Sequence, residues 1–233
     1  MASLGDLVSG VAHEINNPIG VVNSAADVAL RCAARIEDGE IEKPLAVLKV
    51  NIGAMLEAGE RIDTLVKSLR NFARLDEAEF QVVDLHEGID SVLTLMASPL
   101  GERIIVDKNY GEIQPVYCSP GQLNQVFMHL LKNAIEAIEG SGHITIITCE
   151  TDEGVCVRIS DTGRGIPADQ LERIFDFDFQ ATGKRVKMGF GLATDYRIVQ
   201  DHHGEIHIES EVGRGTIVTI SLPIEIGSES TQS

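Results

Sequence analysis

This sequence of 233 residues lacks long apolar runs and an export signal. It contains no uninterrupted stretch of about 18 apolar residues, the length that a membrane-spanning helix requires. Its N-terminus has neither the basic nor the apolar region of a signal peptide. We therefore expect no direct membrane insertion of this segment and a cytoplasmic location, although a full-length protein could be anchored through segments absent here.

Positive charge and paired cysteines are also scarce. Lys and Arg number 19 against 36 Asp and Glu, giving a formal net charge of −17. Such a surface repels nucleic acid, so we expect no nucleic-acid partner, and any anionic ligand needs a local site. Cys32, Cys118, Cys149 and Cys156 show no paired spacing, which is typical of free thiols in a reducing compartment. We expect the last three to fill the core.

The first third of the chain carries helical signals and almost no strand signal. Apolar periodicity predicts one helix from Leu4 to Ile36 and a second from Leu45 to Ala73, with Asp38, Gly39 and Pro44 between them. In the second helix the apolar residues alternate at steps of three and four, which is a heptad pattern. The length and the apolar content of 43% predict one large or two modest domains.

Each predicted helix carries a long apolar face. The first stripe consists of Leu4, Val8, Val11, Ile15, Val22, Ala25, Ala29 and Ile36, and the second, the heptad seam, of Leu45, Leu48, Ile52, Met55, Gly59, Ile62, Val66, Leu69 and Ala73. A single hairpin cannot bury both faces, so we predict an all-α hairpin that forms a dimeric four-helix bundle. The alternative is a monomeric hairpin capped by the rest of the chain.

His13 lies on the polar side of the first helix. It stands two residues from both Val11 and Ile15, so about 200° of rotation turns it away from the apolar stripe. An imidazole held in water on a helix can be reached by a second macromolecule or domain. Glu14 beside it and Asn17 one turn later indicate chemistry at that ring, whereas the alternative is an ordinary polar residue on a wet face.

From about residue 80 onward, helix and strand signals alternate. Helices are predicted at 84–100, 119–137, after 167 and at 192–202, and strands at 104–110, 143–150, 154–160, 205–210 and 216–222. Short turns between neighbouring strands favour antiparallel pairing, and the whole predicts an α+β sandwich with helices on one face of a mixed sheet. We therefore expect domains at 1–78 and 79–225, followed by a disordered tail at 226–233.

Three glycine-bearing segments and one asparagine in this half indicate a nucleotide pocket. They are Asp161-Thr-Gly-Arg-Gly-Ile-Pro167, Gly189-Phe-Gly-Leu192, Gly213-Arg-Gly-Thr216 and Asn133. Backbone N–H groups at a glycine-rich helix start can cradle phosphates. A carboxylate such as that of Asp161 can accept a hydrogen bond from an exocyclic amine, and an amide oxygen suits Mg²⁺. No Gly-x-x-x-x-Gly-Lys-Ser/Thr occurs, so the site is not of the Walker type.

Six motifs, in this order, resemble the cytoplasmic core of a two-component sensor histidine kinase. Such a core is a dimerisation and phosphoacceptor hairpin followed by a Bergerat-type ATP-binding domain of the gyrase, Hsp90 and MutL kind, and the resemblance covers nearly all of residues 1–224. The matches are His13-Glu-Ile-Asn-Asn-Pro18 (H box), Asn133-Ala-Ile-Glu-Ala137 (N box), Asp161-Thr-Gly-Arg-Gly165 (first glycine box), Ile174-Phe175 through Phe179 (F box), and Gly189-Phe-Gly191 and Gly213-Arg-Gly-Thr216 (later glycine boxes).

The resemblance implies ATP and Mg²⁺ as cofactors and a role for each matched residue. His13 would attack the γ-phosphate, Glu14 would orient the ring or take its proton, and Asn17 matches a residue that positions water for dephosphorylation of a response regulator. Asn133 would hold Mg²⁺, and Asp161 would hold adenine. The other implied nucleotide-binding positions are His129, Gly163, Gly165, Lys184, Arg185, Gly189, Phe190, Gly191, Leu192 and Thr216.

The chain departs from the family pattern at a few positions. His129 stands where the family often has asparagine, and imidazole is a softer and poorer Mg²⁺ partner than an amide oxygen. Lys187 and Met188 replace a glycine and a small residue in the lid segment 176–188. His202 and His203, near a helix end, are expected to interact with the helix dipole instead of taking part in catalysis.

The resemblance predicts an ATP-dependent protein-histidine kinase that autophosphorylates His13 and passes the phosphoryl group to an aspartate of a response-regulator receiver domain. A second activity, as a phosphatase of that response regulator, is also compatible with the resemblance. The alternatives are a degenerate dimeric scaffold that docks a receiver without chemistry, and a phosphatase-dominant member. Because His13 lies near the start of the sequence, we expect an upstream sensor domain or a separate sensor subunit.

Overall fold

The chain divides into two compact units, Met1–Arg70 and Asn71–Ser233. The computed structural model describes residues 2–37, 41–73, 80–171 and 191–224. The first unit consists of α1 (Ala2–Glu37) and most of α2 (Glu42–Ala73), as the periodicity predicts. Pro44 lies in the first turn of α2, where a missing backbone N–H breaks no helical hydrogen bond. None of the helices in the described ranges has the length and apolar character needed to cross a bilayer.

The buried face of α2 differs from the predicted heptad seam. Leu65, which lies outside the seam, is 2% exposed, whereas the seam residues Ile52 and Val66 are 46% and 41% exposed. On α1 the buried positions include Ala25 and Cys32, seven residues apart. The heptad seam of α2 is therefore partly exposed to solvent in the single chain.

The second unit alternates strands and helices. Its elements are β1 (Gln81–Val83), α3 (Leu85–Leu95), α4 (Ala97–Leu100), β2 (Ile104–Tyr110), β3 (Val116–Cys118), α5 (Pro120–Ala137), β4 (Gly142–Thr151), β5 (Gly154–Asp161), α6 (Ala168–Leu171), α7 (Gly191–Asp201), β6 (Glu205–Glu211) and β7 (Gly215–Leu222). The predicted helix at 84–100 is divided at Met96 into α3 and α4. The short β1 and β3 were not predicted, because three residues are too few to show an alternating pattern.

Five strands form one mixed sheet in the order β2-β4-β5-β7-β6. β2 and β4 are parallel, because α5 crosses from one to the other, and the remaining neighbours are antiparallel. β1 and β3 pair separately as an antiparallel ribbon. The predicted helical hairpin followed by an α+β sandwich is thus confirmed.

The core of the second unit lies between the sheet and a layer of helices. α5 contacts α3, α7, β5 and β7, and is therefore central to that layer. The fully buried side chains come from alternate sheet positions and from one face of α5; they include Ile144, Ile146, Val155, Val157, Leu123, Val126, Phe127 and Leu131. Burying these apolar surfaces is what holds the motifs of separate segments at fixed positions.

Two expectations about individual side chains need correction. Cys118 is buried as predicted, but Cys149 is exposed, and it lies opposite the half-buried Cys156 across β4 and β5. His202 is buried, its Nε2 accepts a hydrogen bond from the Ser119 N–H at 2.9 Å, and its Nδ1 donates to the Ile198 carbonyl at 2.7 Å. Because burial also lowers the pKa of this ring, His202 is a neutral bridge between α5 and α7 and does not act as a cation on a helix dipole.

Candidate functional site

Five of the predicted site residues line one cavity of the second unit. Asn133 comes from α5, Asp161 from the end of β5, Gly165 from the following loop, Leu192 from the start of α7 and Thr216 from β7. These segments are far apart in sequence, and the sheet order brings β5 and β7 side by side. The fold therefore assembles the separate motifs around a common space.

The rest of the cavity lining is mainly apolar. It consists of Leu130, Ala134, Ala137, Ile159, Ile166, Ile208 and Val218, together with Arg164. Apolar walls with a few convergent polar groups are typical of sites that bind a small molecule or a cofactor. Arg164 was not predicted as a site residue, although it stands inside the glycine motif and adds a positive charge to the lining.

Asp161 is held in a fixed orientation at this cavity. Its Oδ1 accepts a hydrogen bond from the Gly163 N–H at 2.7 Å. Burial raises the pKa of Asp161 above its ordinary value, and hydrogen bonds from the backbone of Gly163 and Thr216 oppose that rise. The oriented carboxylate can accept a further hydrogen bond, such as one from an exocyclic amine.

The glycines of the first glycine box permit a close approach between backbone segments. Gly165 has φ +70°, and a Cβ atom there would lie 2.1 Å from the Glu211 carbonyl oxygen. A Cβ atom on Gly163 would lie 2.6 Å from the Cβ of Ala137, at the end of α5. These two glycines therefore shape the site through backbone geometry, by letting the loop fit between α5 and the β6–β7 turn.

Ser210 is a residue that the sequence reasoning missed. Its hydroxyl oxygen accepts from the Ile166 N–H at 2.8 Å, lies 2.9 Å from the Thr216 hydroxyl, and is 2.9 Å from the Gly215 carbonyl oxygen. Ser210 therefore joins the loop after β5 to the β6–β7 hairpin. Nothing local marks it, because serine is common on strands and its partners are distant in sequence.

His129 is not among the residues that line the cavity. Its Nδ1 lies 2.8 Å from Oδ1 of Asp195, so this pair joins α5 to α7. The Asp195 side chain is fully buried, and its Oδ2 has no hydrogen-bond partner within the described residues. Burial raises the pKa of Asp195 to about 6, while the hydrogen bond from His129 opposes that rise. Asp195 was not predicted, although a lone acidic residue in an otherwise buried stretch of helix is a signal that could have been noticed.

The predicted catalytic residues lie on α1 of the first unit. His13 is within the helix, but its side chain lies outside the described residues. Glu14 is 4% exposed, and its Oε2 accepts a hydrogen bond from Arg61 Nη2 at 3.0 Å, which links α1 to α2. Asn17 is exposed.

The structure describes only part of the predicted site. Lys184, Arg185, Gly189 and Phe190, together with the F box at 174–179, lie outside the described residues. Gly191 begins α7. The described part of the site therefore comprises the N box, the first glycine box and the last one.

Two protein-family models match the chain and define its class. Residues 3–78 match the His Kinase A (phospho-acceptor) domain, and residues 118–226 match the histidine kinase-, DNA gyrase B-, and HSP90-like ATPase domain. This pair of domains, in this order, is the core of a two-component sensor histidine kinase. The chain belongs to that family.

Individual curated proteins align with nearly the whole chain. Over 237 residues the chain is 33% identical to the sensor histidine kinase ZraS of Escherichia coli, covering 100% of this chain and 48% of ZraS. It is 32% identical to sporulation kinase E of Bacillus subtilis, covering 97% of this chain and 29% of that protein. The chain thus spans half or less of the length of these relatives.

Solved structures agree with this assignment. The catalytic domain of histidine kinase ThkA is 28% identical, with a TM-score of 0.57, covering 63% of this chain and 98% of that structure. ThkA in complex with the response regulator protein TrrA gives a TM-score of 0.54 at 24% identity, covering 96% of this chain and 63% of that one. At 24% identity, the likeness to the ThkA–TrrA complex shows a shared fold and nothing more.

Proposed function

We propose that this chain uses ATP to phosphorylate its own His13 and passes the phosphoryl group to an aspartate of a response-regulator receiver domain. The observation that carries the proposal is the cavity in which Asn133, Asp161 and Thr216 meet, within a chain that also contains the phosphoacceptor hairpin. We place the two domains at 1–78 and 79–225, and the protein's core in the cytoplasm.

The described cavity fits a purine nucleotide. Apolar side chains such as Leu130, Ile159 and Ile208 offer flat contacts to a base, and Asp161 offers an acceptor to its amino group. Gly165 and Gly163 leave no room for side chains at the loop, which keeps the backbone close to the ligand space. Leu192 at the start of α7 puts a helix N-terminus at the cavity, and such a terminus favours phosphate.

The donor set at the cavity also fits a divalent cation. Asn133 offers an amide oxygen, a hard neutral ligand of the kind Mg²⁺ accepts beside phosphate oxygens. A bound Mg²⁺ would neutralise part of the charge on the β- and γ-phosphates. Asn133 is therefore our proposed metal ligand, and Lys184 and Arg185 are proposed contacts to the phosphates.

The phosphoryl transfer is a displacement at the γ-phosphorus. A ring nitrogen of His13 donates its lone pair to phosphorus, the bond from phosphorus to the bridging oxygen breaks, and ADP leaves with that electron pair. Glu14, whose Oε2 accepts a hydrogen bond from Arg61, is proposed to orient the His13 ring or to take its proton. In dephosphorylation of the regulator, Asn17 would position the attacking water. The Asn17→Ala variant tests this second activity, because it should lose the regulator phosphatase reaction.

Dimerisation of the hairpin is part of the proposal. Large apolar side chains of α1 and α2 are exposed in the single chain, among them Leu30 at 72%, Val50 at 73% and Leu56 at 66%. Exposing so many apolar groups is costly in water, and a second copy of the hairpin would cover them as a four-helix bundle.

A receiver domain is the proposed recipient of the phosphoryl group. ThkA is described in complex with a response regulator protein, and the phosphoacceptor domain of this chain is of the same class. A sensor domain or subunit upstream of the hairpin is also proposed, because ZraS is named a sensor histidine kinase and the chain covers 48% of ZraS and 29% of sporulation kinase E.

The test is autophosphorylation with radiolabelled Mg·ATP. Wild type should acquire an acid-labile, alkali-stable label, and His13→Ala should lose it completely. His143→Ala is the matched control, because His143 is a half-exposed histidine on β4 and should label as wild type does. Equal labelling of wild type and His13→Ala would remove His13 as the acceptor.

A further inference from the structure

Cys149 and Cys156 form a pair of thiols that the proposed phosphotransfer does not use. They are Cα partners in the antiparallel ladder of β4 and β5, so each residue lies directly opposite the other. The Cα atoms of directly opposed residues in such a ladder are about 4.5–5.5 Å apart. Disulfide bonds join residues whose Cα atoms are about 4.4–6.8 Å apart, so the two strands already hold these cysteines at a bridging separation.

Both thiols lie on the face of the sheet that the described helices do not cover. Side chains alternate between the two faces along a strand, and the neighbouring Thr148, Val155 and Val157 are buried in the core. Cys149 is exposed and Cys156 is half-buried. A bond between the two sulfur atoms would therefore form on the open face, without displacing a side chain of the core.

The two thiols already interact with each other. Burial and a hydrogen bond with the Cys149 thiol raise the pKa of Cys156, and the positive charge of Arg158 on the same strand opposes that rise. Oxidation of a cysteine follows its exposure and its thiolate character. Cys149 is therefore the first of the pair to meet an oxidant, and Cys156 is the neighbouring thiol that can react with the product.

The other two cysteines of the chain are placed differently. Cys32 on α1 and Cys118 on β3 are buried. Burial raises the pKa of Cys118 to about 12, and a buried thiol with so little thiolate is unreactive. The accessible thiol chemistry of this chain is therefore concentrated at Cys149 and Cys156.

We propose that Cys149 and Cys156 are a reversible oxidation site, which hydrogen peroxide converts into a disulfide. In the first step the Cys149 sulfur attacks one peroxide oxygen, the O–O bond breaks, and the released hydroxide takes up the thiol proton, which leaves a sulfenic acid and water. In the second step the Cys156 sulfur attacks the Cys149 sulfur, the S–O bond breaks, and the hydroxide leaves with the Cys156 proton as water. The pair loses two electrons, and the peroxide is reduced to two molecules of water.

This oxidation site is separate from the proposed nucleotide cavity. Asp161 lies five residues beyond Cys156 on β5, which is roughly 16 Å along an extended strand. The inference therefore goes beyond the proposed function and can be tested without nucleotide. Disulfides in a reducing compartment are usually transient and respond to oxidants, and this is the behaviour we expect of the Cys149–Cys156 bond.

The test treats the whole chain with hydrogen peroxide, blocks the remaining thiols with N-ethylmaleimide in denaturant, and analyses the peptides by mass spectrometry. Trypsin cuts after Lys132 and Arg158, so both cysteines fall in one peptide, 133–158. This peptide should carry no maleimide, be lighter than its reduced form by two hydrogen atoms, and recover both thiols with dithiothreitol. The protease Glu-C cuts after Glu150 and Glu153, so the disulfide should keep the two resulting fragments joined.

Two variants separate the roles of the cysteines. Cys149→Ser should lose the disulfide, and Cys156→Ser should instead accumulate a sulfenic acid on Cys149 that dimedone labels. Cys32→Ala is the matched control, because it removes a buried thiol and should form the disulfide as wild type does. The inference is wrong if the wild-type peptide keeps both thiols after peroxide treatment, if Cys149 is oxidised without a bond to Cys156, or if Cys149 joins two copies of the chain.

Discussion

Asp161 shows how its neighbours set the chemistry of a single side chain. Its carboxyl group is partly buried, which raises its pKa, but two backbone N–H groups favour the ionised form. The result is an oriented acceptor at the edge of an apolar cavity. Such a group recognises a ligand by the hydrogen bond it can accept.

Replacing Asp161 with asparagine should weaken ATP binding. The amide loses the charge and presents a donor in place of one acceptor. A lost or mismatched hydrogen bond of this kind costs about 1–3 kcal/mol, or roughly 5- to 150-fold in affinity. Calorimetric titration with ATP measures it. Asp107→Asn on the exposed edge strand β2 should bind as wild type does, and equal affinities for all three proteins would exclude Asp161 from the site.

His202 makes stability depend on pH. Its folded pKa lies below the ordinary value of 6.5, so between these two values the unfolded chain binds more protons. The stabilisation is therefore present above pH 6.5 and declines as the pH falls through the folded pKa.

Asp195, whose pKa is raised to about 6, contributes to stability in the opposite direction. Its stabilisation is present below pH 3.8, the ordinary pKa of the carboxyl group, and is lost as the pH rises through about 6.

The His202→Gln variant isolates the first effect. At neutral pH we expect it to lose about 1–3 kcal/mol of unfolding free energy, because the Ser119 N–H loses its buried acceptor. The difference from wild type should shrink as the pH falls below 6.5, and urea titrations at several pH values measure it. His207→Gln, at a histidine with 72% side-chain exposure, should show no such trend. A constant difference from pH 5 to pH 8 would contradict the assignment.

At the scale of elements, α5 organises the second unit. It carries Asn133 and His129 on one side, packs on β5 and β7, and ends where Arg103 donates hydrogen bonds to the carbonyls of Ile135, Ile138 and Gly140. The carbonyl oxygens of a helix C-terminus need such donors. The loop after β5 then fits against that end of the helix.

Substitution of Gly165 tests how tightly this loop is packed. Gly165→Ala combines a positive φ with a Cβ atom 2.1 Å from the Glu211 carbonyl oxygen, so both nucleotide binding and stability should fall. Gly140→Ala is the matched control: its φ is +78°, but nothing lies within 4 Å of the added Cβ. The Gly140→Ala variant should lose about 1–2 kcal/mol of unfolding free energy from backbone strain alone. Denaturant titration measures both, and an equal cost in the two variants would show that the loop can move away.

At the scale of the whole molecule, the two units differ in how much apolar surface they leave exposed. The second unit buries its apolar residues between sheet and helices, whereas the hairpin exposes side chains such as Val50 and Leu56. The difference follows from architecture, because two helices alone cannot enclose a core.

Charged substitutions on the hairpin should therefore separate the subunits. Val50→Glu with Leu56→Glu is expected to convert a dimer into a monomer in analytical ultracentrifugation, with ATP binding retained by the second unit. Val212→Glu is the control, because Val212 is 64% exposed on the β6–β7 turn, and it should leave the dimer intact. A wild-type protein that sediments as a monomer would refute the four-helix bundle.

The sequence alone determined the order of the two domains, the long helices of the hairpin, the α+β character of the second unit and five of the residues around the cavity. These follow from local periodicity, turn residues and short motifs, which are readable along the chain. The tertiary structure decided which distant polar groups meet: Glu14 with Arg61, Asp195 with His129, and Ser210 with Ile166. It also decided that the buried positions of α2 in the single chain include Ala58, Leu65 and Ser68, whereas Ile52 and Val66 of the predicted heptad seam are exposed. Such pairings depend on how whole elements pack, and packing is set by burial summed over many residues that no local pattern reveals.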